Sequence, residues 1–249
     1  MEGINKGGID ENAVISAIAE GLDLFYKKLI DGLNSVDIKK IMKRKNPYLY
    51  RAKSMRTASE IIESVLSAYV SSSEETIFGN VFFEPVAIAA AGGQKSTTEG
   101  VDLVVQDTEH RVVYTIAVKS GTSVFNADSK KRQAENFTRA GKLARQGGLY
   151  QEAIIGYCYG KKKKSNRGSA KLYEELAGQE FWARLTGDDD FYVKLISYME
   201  GLPEKYLEQY QESYAKASNR LIREFSAMFC KPDGAIDWTA LVQFNSGAD

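Results

Sequence analysis

Two charged residues interrupt runs of aliphatic residues that otherwise have the pattern of buried β-strands. Asp102 lies within GVDLVVQ, and Lys119 ends YTIAVK, 17 positions later. Placing an acid and an amine among aliphatic side chains is costly unless each has a partner. On neighbouring strands the two could meet at a sheet edge, where the carboxylate could bind a divalent metal and the ammonium could steady a water or a phosphate. A purely structural ion pair is the alternative interpretation.

The residues around this pair predict the elements that would position it. GVDLVVQ and RVVYTIAVK are rich in β-branched residues and flank the polar sequence DTEH, which favours an antiparallel hairpin. Apolar residues at steps of three and four predict helices at residues 11–45, 57–71, 129–146 and from about 171 to 230. Two more strands are predicted at NVFFEPVAIAAAGG (80–93) and EAIIGYCYG (152–160). The predicted fold class is therefore α/β.

Composition limits the kind of protein that this can be. The chain has 249 residues, 43% of them apolar, which is enough for a substantial core in one large domain with helical additions. No window approaches the length of a membrane span, and no signal sequence is evident. Cys158 and Cys230 are too few and too far apart for a disulfide framework. We therefore expect a cytoplasmic protein with no membrane contact.

The sequence argues against several kinds of catalytic site. The single histidine, His110, lies in the predicted turn DTEHR and is expected to be exposed. Zinc hydrolase sites, histidine-based nuclease sites and Ser-His-Asp triads need a supported imidazole, so they are not expected. AGGQKSTT lacks the adjacent Gly and Lys of a phosphate-binding loop, so no nucleotide cofactor is expected. Any catalysis should depend on carboxylates, lysine and a metal.

Two segments also carry a resemblance to known nucleases. EGVDLVV followed by YTIAVKSG is similar to the core of the PD-(D/E)XK nuclease superfamily, over roughly residues 57–160. Together with KNPYLYRAK and SGTSVFNADSKKRQAENF, nearly the whole chain resembles the type II restriction endonucleases of the PmeII kind. The resemblance implies a restriction-endonuclease-like core, with a mixed central sheet flanked by helices. It implies one nuclease-like domain over 1–249, with N-terminal helices at 11–45 and a helical C-terminal region at 171–230.

The resemblance implies a role for each member of the charged pair. Asp102 corresponds to the metal-binding acid and Lys119 to the lysine of the last motif position, but the acid expected two residues before that lysine is replaced by Ala117. On the helix predicted at 57–71, Glu63 flanks the apolar stripe, so it is the first candidate for the missing catalytic and metal-binding acid. A solvated glutamate is the alternative. The other candidates are Glu135 on the basic helix, Glu99 and Glu84.

Basic segments follow the hairpin. The chain as a whole is neutral, with 33 basic and 33 acidic residues, yet SKKRQAENFTRAGKLARQ and GKKKKSNRG concentrate positive charge next to the predicted site. We predict DNA phosphate contacts for Lys130, Lys131, Arg132, Lys161, Lys162, Lys163 and Lys164. A solvated helix and loop are the alternative. KRKNPYLYRAK is a third candidate surface, and a homodimer is expected because a two-fold dimer suits a palindromic site.

These observations predict a Mg²⁺-dependent type II site-specific deoxyribonuclease that cuts duplex DNA. The alternative is a catalytically degenerate nuclease-fold protein that binds DNA, which Ala117 favours. A third hypothesis is that the chain is an interaction protein built around the C-terminal helices, which carry aromatic residues at near-helical spacing.

Overall fold

The computed structural model describes residues 3–162 and 172–247. The chain forms two compact units. The first, which we call the sheet unit, contains Met1–Leu24 and Phe78–Pro203. The second, which we call the helical unit, contains Phe25–Ile77 and Glu204–Asp249. The organisation as a single nuclease-like domain stays a prediction.

The described residues form ten α-helices and five β-strands. The helices are α1 (Glu11–Ser35), α2 (Ile38–Met42), α3 (Pro47–Ala52), α4 (Ala58–Val81), α5 (Phe83–Ala91), α6 (Ala127–Gln146), α7 (Gln179–Thr186), α8 (Phe191–Tyr198), α9 (Glu204–Phe229) and α10 (Trp238–Ser246). The strands are β1 (Gln94–Lys95), β2 (Leu103–Asp107), β3 (Val112–Lys119), β4 (Tyr150–Tyr157) and β5 (Glu174–Ala177). This is a mixed α/β architecture, consistent with a restriction-endonuclease-like fold.

The five strands lie in one mixed sheet in the order β1-β2-β3-β4-β5. β1, β2 and β3 pair antiparallel, and the β2–β3 hairpin confirms the predicted one. β4 pairs parallel to β3, and β5 pairs parallel to β4. Because α6 connects β3 to β4, the predicted basic helix is the crossover that a parallel pair requires.

Different helices cover the two faces of the sheet. α6 packs over one face, on a cluster formed by Val101, Ala117, Phe137, Ala140, Ala153, Ile155, Tyr157 and Ala177. On the other face, Gly156 of β4 lies against Phe181 of α7, and a Cβ at this glycine would overlap the phenyl ring. α5 contacts β2, β3 and α7. The strands are therefore buried between helices, which explains their continuous aliphatic sequences.

The helical unit has its own core. Ile61, Ile62 and Leu66 on one side of α4 are fully buried, as are Leu221 and Phe225 of α9. Ile62 and Leu66 are four positions apart, as are Leu221 and Phe225, so each helix presents one apolar stripe to the core. No helix among the described residues has both the length and the apolar character needed to cross a membrane.

The strand predicted at residues 80–93 is wrong, because these residues end α4 and form α5. The buried positions of α5 are Val86, Ala87, Ala90 and Ala91, which follow the helical period. Pro85 lies in the first turn, where a helix tolerates proline. Gly92 then ends the helix in the left-handed conformation, with φ of 57°.

The continuous helical region predicted beyond residue 171 is also wrong at its start. Residues Glu174–Ala177 form β5, which pairs with Ile154–Tyr157 of β4. The sequence EELA consists of good helix formers, so pairing with the buried neighbouring strand overrides local propensity. This edge strand brings Glu175 to the sheet face under α6, where Ile155 is its partner in the register.

Candidate active site

Asp102 and Lys119 meet at the end of the β2–β3 hairpin, as the sequence predicted. Lys119 Nζ donates to Asp102 Oδ2 at 3.0 Å and to the Val118 carbonyl at 2.9 Å. The backbone N–H of Val118 also donates to Asp102 Oδ2, at 2.6 Å. About a quarter of each side chain reaches solvent, 23% for the carboxylate and 26% for the lysine. The pair is thus oriented by the backbone but open to a ligand.

The turn of the hairpin is built on Asp107. Its carboxylate accepts from the backbone N–H of His110 at 3.0 Å and lies 2.8 Å from that residue's Nδ1. These hydrogen bonds lower the pKa of Asp107 and raise the pKa of His110. The His110 side chain is 60% exposed, which confirms the prediction of an exposed ring.

The segment that leads into Asp102 is fixed by α6. Gln133 is buried and donates from Nε2 to the Gly100 carbonyl at 2.6 Å. Gly100 has φ of +72°, and a Cβ there would overlap the side chain of Asn136. A glycine is therefore needed both for the backbone conformation and for the close approach of the helix. Gln133 and Gly100 together set the position of Asp102.

Ala117, which replaces the expected acid, is fully buried. It lies in the cluster under α6 with Phe137 and Ile155. Behind the pair, Cys158 donates its backbone N–H to the Lys119 carbonyl at 2.8 Å. Burial raises the pKa of the Cys158 thiol well above its usual range, so the thiol stays neutral. Ala117 and the Cys158 thiol thus contribute no charge beside the pair.

The predicted phosphate-binding residues fall into three groups. Lys131, Arg132 and Lys161 are exposed. Lys130 and Lys162 both contact the carboxylate of Glu175. The predicted contacts of Lys163 and Lys164 lie outside the described residues.

Sequence reasoning missed the cluster around Glu175. Lys130 Nζ lies 3.0 Å from Glu175 Oε1, and Lys162 Nζ contacts Oε2. The Tyr157 hydroxyl donates to the same Oε2 at 3.1 Å. Lys162 also donates to the Tyr157 hydroxyl at 3.0 Å, and its Nζ lies 4.3 Å from the ring centroid. No local signal points to this cluster, because it exists only when β5 pairs with β4.

A comparison with protein families identifies the chain. Residues 12–205 match the family model described as type II restriction endonuclease EcoO109I. The chain belongs to this family. A comparison with curated proteins gives no match. Membership supports a type II restriction endonuclease-like DNA nuclease, and the narrower likeness to the PmeII kind stays a prediction.

The candidate glutamates of this EcoO109I-family nuclease lie in different environments. Glu135 is exposed and lies about 200° around α6 from Gln133, and its role as a metal ligand stays a prediction. Glu99 is 78% exposed, and Arg139 lies 3.4 Å from it. Glu63 belongs to the helical unit, where it is exposed. Burial raises the pKa of Tyr214, and the charge of Glu63 raises it further. The role of Glu63 stays a prediction.

Glu84 lies in the sheet unit, at the start of α5. Its Oε1 lies 2.9 Å from Lys95 Nζ. The pKa of Lys95 is raised, first by the hydrogen bond and charge of Glu84 and also by the charge of Asp102. The ammonium of Lys95 is therefore influenced by both acids. Glu84 and Asp102 thus share Lys95 as an electrostatic partner.

Nucleases of this family generally use a divalent metal. The described residues contain no group of three or more His, Cys, Asp or Glu side chains suited to hold a metal ion. Mg²⁺, however, is often bound by one or two carboxylates, with waters and substrate phosphates as the other ligands. Asp102 Oδ2 accepts two hydrogen bonds, whereas Oδ1 accepts none from the described residues. This oxygen fits one ligand position of Mg²⁺.

Proposed function

We propose that this protein is a Mg²⁺-dependent type II restriction endonuclease that hydrolyses both strands of duplex DNA at a specific short sequence. The observation that carries the proposal is the partly exposed Asp102–Lys119 pair in a chain of the EcoO109I family. A structural ion pair alone would not require exposure, and ion pairs contribute little to stability on average.

The chain's own residues would act as follows. Lys119 has three N–H donors and uses two, on Asp102 and on the Val118 carbonyl, so one remains for an attacking water or a phosphate oxygen. The Val118 N–H holds Asp102 Oδ2, which leaves Oδ1 for a ligand. A bound Mg²⁺ would offset charge on the scissile phosphate and lower the pKa of a bound water.

The acid that complements Asp102 is proposed to be a glutamate on a helix. Glu63 stays the first candidate, since it is exposed on α4 and flanks the buried stripe as the sequence predicted. Glu84 is the second, because its partner Lys95 also responds to the charge of Asp102. Alanine variants of both, assayed for cleavage beside Glu135→Ala, identify the residue that matters.

The decisive experiment is DNA cleavage by the purified protein. Plasmid DNA incubated with wild type in Mg²⁺ or Mn²⁺ should give discrete fragments, and Asp102→Ala should give none. If wild type gives no fragments under any of these conditions, the proposal is wrong. Sedimentation of the active protein would test the proposed homodimer, which is suited to cutting both strands of a palindrome.

The second candidate function is DNA binding without cleavage. It is favoured by Ala117, because the expected acid is absent and the position is fully buried. This function predicts salt-sensitive binding to duplex DNA with no metal-dependent product. Cleavage that depends on Asp102 would exclude it.

A further inference from the structure

We propose that Glu175 positions Lys130 and Lys162 as a pair that binds a backbone phosphate of DNA beside Lys119. This inference rests on the proposed function, since it assigns the ligand as DNA. It separates these two lysines from the other basic residues of the two segments. It also gives Glu175 and Tyr157 a positioning role for which the sequence carried no signal.

The first argument is the difference in exposure within the cluster. The Glu175 side chain is 5% exposed, whereas Lys130 is 40% exposed and Lys162 is 28% exposed. The acid is thus covered while both ammonium groups reach solvent. An approaching molecule therefore meets the two amines and not the carboxylate. Such a surface favours an anion.

The second argument is charge. Hydrogen bonds from Lys162 and Lys130 outweigh the effect of burial and lower the pKa of Glu175 to about 2, so it carries one negative charge at neutral pH. Burial and the charge of Glu175 raise the pKa of Tyr157, so the phenol is neutral. Among the described residues of the cluster, two ammonium groups against one carboxylate leave a net charge of about +1. One lysine would have been enough to neutralise the acid.

The third argument is position in the sheet. Tyr157 is the register partner of Lys119, so their Cα atoms lie about 4.8 Å apart on neighbouring strands. Glu175 is the register partner of Ile155, which in turn is the partner of Ala117. The cluster therefore extends from Lys119 across the same face of the sheet. A phosphate held there would belong to the strand whose scissile phosphate reaches Lys119.

The fourth argument is the number of donors that remain. Each ammonium has three N–H groups. Lys130 contacts Glu175, and Lys162 contacts Glu175 and the Tyr157 hydroxyl. Both lysines keep donors for phosphate oxygens. The carboxylate between them fixes their separation, so less side-chain entropy is lost when a phosphate binds.

The experiment measures the salt dependence of DNA binding in EDTA, where cleavage is not possible. A fluorescent 30-bp duplex of mixed sequence is the probe, titrated between 50 and 200 mM salt. Lys130→Ala and Lys162→Ala should each reduce the slope of log K against log [salt], by up to about 0.9, the value for one phosphate contact. Lys130→Arg and Lys162→Arg keep the charge and should keep the slope.

The matched control is Lys194→Ala, since Lys194 is a 48% exposed lysine of the sheet unit that forms an ion pair with Asp188. It should leave the slope unchanged. If Lys130→Ala and Lys162→Ala behave like this control and only lower Tm, the cluster is a structural network and the inference is wrong. The Arg variants guard against misfolding, because they should restore both Tm and slope.

Glu175 is tested as a positioning residue by its effect on turnover. Glu175→Gln keeps both lysines, so the salt slope should persist while kcat falls about tenfold or more with little change in KM, and Glu175→Asp should recover part of the loss. Equal kcat for Glu175→Gln and wild type would contradict positioning. If wild type does not cleave at all but the slopes change as expected, the proposed activity fails while the phosphate pair stands.

Discussion

Asp102 and Lys119 show how one contact can serve both stability and chemistry. The carboxylate uses Oδ2 for the backbone N–H of Val118 and for Lys119, and the described residues leave Oδ1 without a hydrogen bond. A fully structural pair would be expected to satisfy both oxygens. Because a quarter of each side chain is exposed, the site is accessible without unfolding the hairpin.

Replacing Lys119 should affect catalysis far more than binding. Lys119→Met keeps the aliphatic stem but removes the donor, and we expect the single-turnover cleavage rate to fall by about 100-fold or more. DNA affinity in EDTA should change by no more than the loss of one charge allows. A rate within about threefold of wild type would show that the lysine takes no part in the chemistry. Lys194→Met is the control.

Glu175 should make stability depend on pH. Its pKa is about 2 in the folded protein, below the usual 4.5, because Lys162 and Lys130 stabilise the ionised form. A depressed pKa contributes stability above pH 4.5, and this contribution is lost as pH falls toward 2. The free energy of unfolding of wild type should exceed that of Glu175→Gln by up to about 3 kcal/mol at pH 7, and this difference should shrink below pH 4.5.

Urea denaturation of both proteins between pH 7 and pH 3 measures this gap. The raised pKa of Tyr157 keeps its phenol neutral throughout, whereas the lowered pKa of Glu175 places its titration at the acid end of this range. A gap that does not change with pH would mean that the carboxylate is not stabilised by its lysines.

At the scale of elements, the hairpin could be predicted and two other elements could not. β2 and β3 have β-branched sequences and a polar turn at Asp107, and these signals are local. The sequence FEPVAIAAA of α5 is apolar throughout, so a short buried helix and a buried strand look alike. β5 has a helix-forming sequence and is a strand only through its pairing with β4.

The candidate site divides in the same way. Asp102 and Lys119 could be found because two local strands carry them. The contact of Gln133 with Gly100 needs the packing of α6, and the cluster around Glu175 needs β5. Gln133 and Gly100 are 33 positions apart, and Lys130 and Glu175 are 45 positions apart, separations that periodicity does not connect. Sequence therefore predicts the acid and the amine, and structure adds what positions them.

The segment before Asp102 gives a prediction at this scale. Gly100→Ala should lower the stability more than Gly8→Ala, because both glycines have φ above +70° but only Gly100 lacks room for a Cβ. The left-handed conformation costs about 1–2 kcal/mol in each variant, and overlap with Asn136 adds to it for Gly100. Cleavage should also fall for Gly100→Ala alone. Thermal unfolding and plasmid cleavage of the two variants measure both effects, and equal losses would contradict the positioning role of this segment.

At the scale of the whole molecule, protein and DNA should bind the metal together. The described residues offer Asp102 Oδ1 but no cluster of three ligating side chains, so the free protein should bind Mg²⁺ or Ca²⁺ weakly. A DNA phosphate supplies further oxygen ligands, and coupling between two ligands is reciprocal. Calorimetric titration with Ca²⁺ should therefore show affinity at least tenfold higher in the presence of duplex DNA.

Asp102→Asn is the control, because it keeps the shape of the side chain and removes the charge, and it should abolish this increase. The measurement does not depend on cleavage, so it separates metal binding from activity. Micromolar binding of Ca²⁺ to the free protein would show instead that a second acid already completes the site. The alanine variants of Glu63 and Glu84 would then identify that acid, because the variant lacking it should lose the DNA-independent binding.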